Sequence, residues 1–409
     1  MIPAAPDRLW NRSFLLWWLG GTQSALGTAL AGIATSFLVL HQTGSAGQMG
    51  VNLALALLPE LFSPLFGTLV DRLPLKVPLI LGNVLRGALQ LTVGLLALRG
   101  HVPLELIYAS SFLTGLIGAF YSPAAMGVTP RLVPRDQLQR ATGLMQGSTQ
   151  VMGLVGVVGG GALVGVLGSA PALIFDGLSF LLFAALLPLV TLPTRGSAPA
   201  GEGFWASFRA GFGYARRSPV TLGLPVMAFF LNAAFAPMEM LMPARMTALG
   251  AGAQGFGLFF GLLLAGLAAG SFAVAALGDR LDARRLSSPA FAALGVTVLA
   301  LSVTQTPAQL YTLAFVMGLV NAALNLSLSL IFQKSVDPAY YGRVGSLIGM
   351  VSMAGMPLAM LLLAPVADRV ALGTVFAVAG SLTVLASVGW AALLRRDQAA
   401  RAAQTAVPA

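Results

Sequence analysis

Apolar runs of membrane-crossing length, separated by short polar turns, take up most of this chain. A helix needs about 20 apolar residues to cross a bilayer core, and such runs fall near 13–40, 47–70, 77–98, 102–127, 138–167 and 171–192. After a polar stretch containing Gly and Pro, six more fall near 220–243, 255–277, 288–304, 309–332, 344–367 and 371–394. The pattern predicts an all-α integral membrane protein with twelve transmembrane helices in two pseudo-symmetric six-helix bundles. The first bundle covers 1–192, a cytoplasmic linker 193–219, and the second bundle 220–409.

The bundles read as two copies of one unit. Gly67, Asp71, Arg72 and Lys76 lie in the turn after the second span, and Gly278-Asp279-Arg280 with Arg284-Arg285 in the turn after the eighth. The two Asp-Arg pairs are 208 residues apart (279 minus 71). Pro134 and Pro338, in the turns after spans four and ten, give a second offset of 204 (338 minus 134). Parallel six-span repeats are the build of secondary transporters with a midplane site between the halves. In the linker, Phe204, Trp205, Phe208 and Phe212 alternate with Arg209, Arg216 and Arg217, which predicts an amphipathic helix on the inner leaflet.

Composition agrees: 57% hydrophobic and 9% charged residues against roughly 25% charged in soluble domains. The first run is too long for a signal-peptide core, so it is read as a retained span. A net charge of +10 would suggest nucleic acid if the basic residues were scattered. Instead 19 of the 23 fall in the segments on one side of the membrane; Arg99, Arg245 and Arg369 fall on the other, and Arg86 within a span. By the positive-inside rule both termini are cytoplasmic, in a multi-pass inner-membrane protein without a nucleic-acid partner.

The absence of cysteine removes disulfides, thiolate metal sites and cysteine nucleophiles. His41 and His101 cannot form a zinc-protease pair, and neither Lys76 nor Lys334 follows the glycines of a phosphate loop. No metal site, cofactor or catalytic constellation is expected, so an enzyme is disfavoured. Many of the 48 glycines sit inside spans. Gly156/Gly160, Gly161/Gly165, Gly257/Gly261 and Gly266/Gly270 have the spacing that lets helix backbones approach closely. Gly159-Gly160-Gly161 has no preceding strand and is read as packing, not as a dinucleotide turn.

Charges within a bilayer are costly and carry functional hypotheses. Glu60 and Arg86 lie 13 residues either side of position 73 in the turn, so in an antiparallel hairpin they share one depth, near the midplane. They are expected to face each other, either as a static ion pair or as a pair whose separation lets Glu60 take up a proton. Asn83, Arg86 and Gln90 form a polar stripe on one face. Asp176 and Glu239 lie near the outer ends of spans six and seven, and the outer interface is their alternative place. Arg245 is a possible partner of Glu239. Asp71 could brace a helix start, whose unsatisfied N–H groups attract a carboxylate, or the turn could simply be topogenic charge.

Neutral hydrogen-bonding groups are spread over several spans: Gln23 and Thr28; Tyr108, Thr114 and Tyr121; Gln146 and Gln150; Asn232; Asn321 and Asn325. Each could instead bond helix to helix. With Phe120, Met227, Phe229 and Phe230 they would line an apolar cavity with scattered polar points, suited to an amphiphilic organic molecule.

The whole pattern resembles the major facilitator superfamily from about Phe14 to Leu394. Gly67, Asp71, Arg72 and Lys76 look like its loop 2–3 motif, and Gly278-Asp279-Arg280 the counterpart. Thr43-Gly44-Ser45-Ala46, Leu132-Val133-Pro134, Phe175-Asp176, Ser179-Phe180 and Gly342-Arg343-Val344 are similar to a bacterial efflux branch that includes macrolide and enterobactin-type siderophore exporters. The resemblance implies alternating access by rocking of two bundles, with protons and a lipophilic or amphiphilic substrate as partners, export as the direction and a monomer as the working form. It implies that Asp71 braces the start of span eleven near Arg343, and that Glu239 faces the cavity. Two marks of family antiporters are missing: the Gly-Pro of span five, where Gly156-Val157-Val158-Gly159-Gly160 stands, and an arginine on span four. An uptake symporter, a lipid-type flippase or a non-transporting receptor of the same fold are the alternatives.

Overall fold

The computed structural model describes residues 8–70, 73–192, 204–216, 218–277 and 282–405. They are helical throughout, without a strand among them, and twelve helices are long and apolar enough to cross a membrane. The first six spans are α1 (Arg12–Thr43), the broken pair α2 (Ala46–Leu57) and α3 (Ser63–Val70), α4 (Lys76–Leu98), α5 (Leu104–Met126), then, after the short α6 (Thr129–Leu132), α7 (Leu138–Leu167) and α8 (Ser169–Leu186). The linker helix is α9 (Phe204–Ala215). The last six are α10 (Pro219–Ala248), α11 (Gly252–Leu277), α12 (Ala283–Ala300), α13 (Pro307–Ser335), α14 (Tyr341–Ala367) and α15 (Leu372–Thr405).

Side-chain caps set several of the starts by satisfying N–H groups that the helix cannot. Asn11 accepts from the Phe14 N–H at 2.9 Å, and Ser45 from Gln48 at 3.0 Å. Thr306 and Gln309 form a reciprocal capping box at the head of α13. Asp282 accepts from the Arg284 N–H and starts α12 at Ala283. Span nine is therefore longer than the apolar run alone suggests, because Arg284 and Arg285 lie within the helix and not in the turn. α1 ends at Gly44, whose φ of 66° is the left-handed conformation that only glycine adopts without strain.

The chain divides into two compact units, 1–204 with 250–258, and 205–249 with 259–409. Inside the first, α4 packs on α8, α1 on α7 and α8, α4 on α5, and α2 on α5. Inside the second, α12 packs on α15, α10 on α14 and α15, and α12 on α13, while Gly266, Gly270 and Gly318 bring α11 against α13. Counted as spans, these are the same five pairings shifted by six.

The crossings are built from matched glycines. Where α4 meets α8, a Cβ on Gly87 would stand 2.9 Å from the Gly177 carbonyl oxygen, and one on Gly177 3.0 Å from that of Gly87. Where α12 meets α15, Gly295 and Gly380 repeat the arrangement at 2.9 and 2.8 Å. Gly87 and Gly295 are 208 residues apart (295 minus 87), the offset of the two Asp-Arg pairs. Gly115 against Ala56 is matched by Gly318 against Leu263, and Gly156 against Leu26 by Gly355 against Phe229. Apolar lipid offers no hydrophobic drive between helices, so close backbone approach and dispersion hold such pairs together.

Span two is not one helix. Pro59 cannot donate the N–H an α-helix needs, and Leu58–Phe62 winds as a 3₁₀ segment between α2 and α3. Glu60 lies in this break. α9 belongs to the second unit, where the Tyr214 ring stacks on Tyr340 with centroids 4.3 Å apart and the Tyr214 hydroxyl accepts from the Asp337 N–H at 2.9 Å.

Candidate functional site

The charges within the first unit gather around Arg86 on α4. Its guanidinium carbon stands 4.9 Å from the centre of the Tyr121 ring and 5.6 Å from that of Phe180, and aromatic faces attract a desolvated cation. Glu60 reaches the same place from the break in span two. A Cβ on Gly118 would lie 2.8 Å from Arg86 Nη2 and 3.7 Å from Glu60 Oε1, so the missing side chain of Gly118 leaves the space where both charged ends converge. The shared depth expected from the hairpin count is thus present. A contact ion pair is not: the carboxylate and guanidinium stay apart, because the rings of Tyr121 and Phe180 hold the cation.

Asp176 is buried among the helices of the first unit. It is 1% exposed, on the face of α8 that packs against α4. Gln90, one turn beyond Arg86, donates to Asp176 Oδ2 at 2.9 Å. Its other oxygen, Oδ1, lies with the Ser179 hydroxyl against Gly27 of α1, and the Thr28 and Ser179 hydroxyls stand beside the carboxylate. Gln23, a turn earlier on α1, donates to the Ser179 carbonyl at 2.8 Å. The polar stripe of α4 divides its work: Asn83 bonds back to Leu79, Arg86 carries the charge, and Gln90 holds Asp176. One cation therefore lies among two carboxylates, Glu60 and Asp176, that reach it from different helices.

The second unit holds a cavity of about 330 Å³ among α10, α13 and α14. Leu224, Leu231, Leu328, Phe332 and Ile348 supply most of its wall, with Asn232, Asn325, Ser329 and Ser352 as the polar points. Asn232 donates to Ser352 Oγ at 2.7 Å and to the Ala228 carbonyl at 2.9 Å. Asn325 donates to Asn321 Oδ1 at 2.6 Å. Glu239 sits outside this cavity's lining, partly buried on α10, without an ion pair among the described residues. Arg245 is not its partner, since the guanidinium donates to the Thr304 carbonyl.

The other candidates scatter. Tyr108 donates to the Gln48 carbonyl at 3.2 Å, Thr114 has a buried hydroxyl without a partner, and Thr28, Gln146 and Gln150 are exposed. Gly67, Lys76 and Arg343 lie in helices α3, α4 and α14 and not in the turns: Lys76 donates to the Pro188 carbonyl, Gly67 lies against Pro123, and Arg343 stands over the Tyr340 ring at 5.6 Å. Asp71, Arg72, Asp279 and Arg280 lie outside the described residues. Sequence reasoning missed Phe180, Gly118, Ser329 and Ser352. Ser352 was within reach of it, as a hydroxyl in an apolar span. It also missed Arg284 bonded to Asp397 at 2.7 Å between α12 and α15.

A six-helix unit used twice, with charged side chains held inside its spans, is the build of a secondary transporter. The model of the Major Facilitator Superfamily matches residues 17–247 and 239–409, and the chain belongs to that family. It is a membrane transporter and not an enzyme. Among relatives, macrolide efflux protein A of Streptococcus pyogenes is 24% identical over 393 residues, covering 93% of this chain and 95% of the relative. The multidrug efflux pump Tap of Mycobacterium tuberculosis is 26% identical over 366 residues, covering 86% of each. Among solved structures, the nucleoside transporter NupG aligns with a TM-score of 0.74 at 12% identity, over 94% of this chain and 99% of that one. A bacterial homologue of the human lysosomal transporter Spinster gives 0.68 at 17% identity, over 95% of each.

Proposed function

We propose that this chain is a proton-linked exporter of lipophilic or amphiphilic small molecules, set in the inner membrane with both termini in the cytoplasm. The observation that carries the reading is the cluster in the first unit: Glu60 and Asp176 share Arg86 without either closing a contact pair with it. Two acids facing one cation leave room for one exchangeable proton, and burying an unpaired charge in a bilayer is costly. Glu60 is the group we assign to proton uptake, because it sits in the helix break, where the chain is not held by a continuous helix, with its carboxylate beside Gly118 and the Arg86 guanidinium. Asp176, held by Gln90, is the fixed counter-charge.

Export as the direction draws on the relatives, which are named as efflux proteins for macrolides and for multiple drugs. The apolar cavity of the second unit supports a substrate of mostly apolar body. The test is transport in inverted membrane vesicles with an imposed pH gradient, acid inside. Substrate should accumulate in the lumen and discharge part of the gradient. Accumulation only under the opposite gradient would make the protein an uptake symporter, and gradient-independent movement would remove the proton from the account.

A further inference from the structure

We infer that the cavity among α10, α13 and α14 binds a neutral amphiphile presenting O–H or N–H donors, and rejects carboxylate, sulfate and catecholate anions. The inference rests on the exporter reading above and narrows its substrate class.

The argument is a count of what the polar wall has left to offer. An amide side chain has two N–H donors and a carbonyl acceptor. Both donors of Asn232 are spent, on Ala228 and Ser352. Both of Asn325 are directed at Asn321, at its carbonyl and its side-chain oxygen. The Ser352 hydroxyl accepts from Asn232 and points its proton toward the Ala228 carbonyl at 3.5 Å. Ser329 accepts from Gln333 at 3.2 Å and alone keeps an uncommitted proton.

What faces the cavity is therefore two amide oxygens, Asn232 Oδ1 and Asn325 Oδ1, and one hydroxyl. No charged side chain lines it among the described residues. An anion brought here would trade part of its water shell for oxygen lone pairs and apolar walls, with the Ser329 hydroxyl as the one donor offered in return, which is unfavourable. A ligand with O–H or N–H groups meets the acceptors directly, while its body fills the space among Leu224, Leu231, Leu328 and Phe332. A volume of about 330 Å³ holds a compact amphiphile or one lobe of a larger one. Sites built to hydrogen-bond a ligand hydroxyl discriminate strongly against the analogue that lacks it.

The test uses the full-length protein in nanodiscs and equilibrium binding without any gradient, so that failure of proton coupling does not affect it. The probes are a rigid steroid diol, oestradiol, its dimethyl ether and its 3-sulfate. The diol should bind, and the ether and the sulfate should bind at least about tenfold more weakly. Asn325→Leu and, separately, Ser329→Ala should weaken the diol by about tenfold and about threefold while leaving the ether unchanged. Thermal midpoints of these variants report whether they are folded. Equal binding of diol, ether and sulfate, no binding of the diol, or full binding by folded Asn325→Leu would each overturn the inference. Binding as expected with no transport under any gradient would instead defeat the exporter reading and leave the pocket standing.

Discussion

Arg86 has the most to lose from substitution. Replacing it with Leu would leave Glu60 and Asp176 inside a bilayer with no cation near either. Removing one partner from a buried charge set costs about 3–5 kcal/mol. The expected outcome is a large fall in thermal midpoint and folded yield, partly restored by adding Glu60→Gln and Asp176→Asn to the same chain. A normal midpoint for Arg86→Leu would mean that the cluster is solvated and not a balanced set. The hairpin count gave the common depth of Glu60 and Arg86, because rise per residue is fixed in a helix. It could not place Asp176, for which depth says little: the direction its side chain takes around α8 depends on which helix packs there, and the sequence does not contain that neighbour. Gln90 offered the available hint, a polar side chain one turn from Arg86 on a mostly apolar span.

Helix crossings make a sharper test of elements than helix positions do. Gly87→Ala and Gly295→Ala each put a methyl against a backbone carbonyl of the facing helix, and overpacking of this kind costs about 1–3 kcal/mol. Both should lower the thermal midpoint, whereas Gly159→Ala, with open space at its Cβ position, should not. Equal midpoints for all three would show that the crossings are looser than described. A parallel contrast exists in α9. A Cβ at Gly211 would meet the Arg343 carbonyl oxygen at 2.5 Å, while Gly213 faces nothing within 4 Å. Gly211→Ala should therefore loosen α9 from the first turn of α14 and lower the midpoint, and Gly213→Ala should leave it unchanged or raise it slightly through helix propensity. The twelve spans were readable from apolar length alone. The break at Leu58–Phe62 was not read, although Pro59 and Pro64 marked it, because an apolar run shows no interruption when proline replaces another nonpolar residue.

At the scale of the whole molecule the repeat is the organising fact. The offset of 208 between the two Asp-Arg pairs reappears between Gly87 and Gly295 at matching crossings, where chemistry gives no reason for coincidence unless both units fold alike. Sequence supplied the repeat and the family resemblance; it could not supply which polar groups spend their hydrogen bonds on each other and which face a cavity, because that depends on rotamers and neighbours. Asn232 and Asn325 were candidates as neutral hydrogen-bonding groups on spans seven and ten, but the committed donors that leave only their oxygens free are visible in three dimensions alone. The account depends most on Glu60 as the proton carrier. The decisive measurement compares wild type with Glu60→Gln in proteoliposomes, for both gradient-driven accumulation and substrate counterflow with no gradient. The account predicts that the variant loses accumulation and keeps counterflow; accumulation at the wild-type level by Glu60→Gln would contradict it.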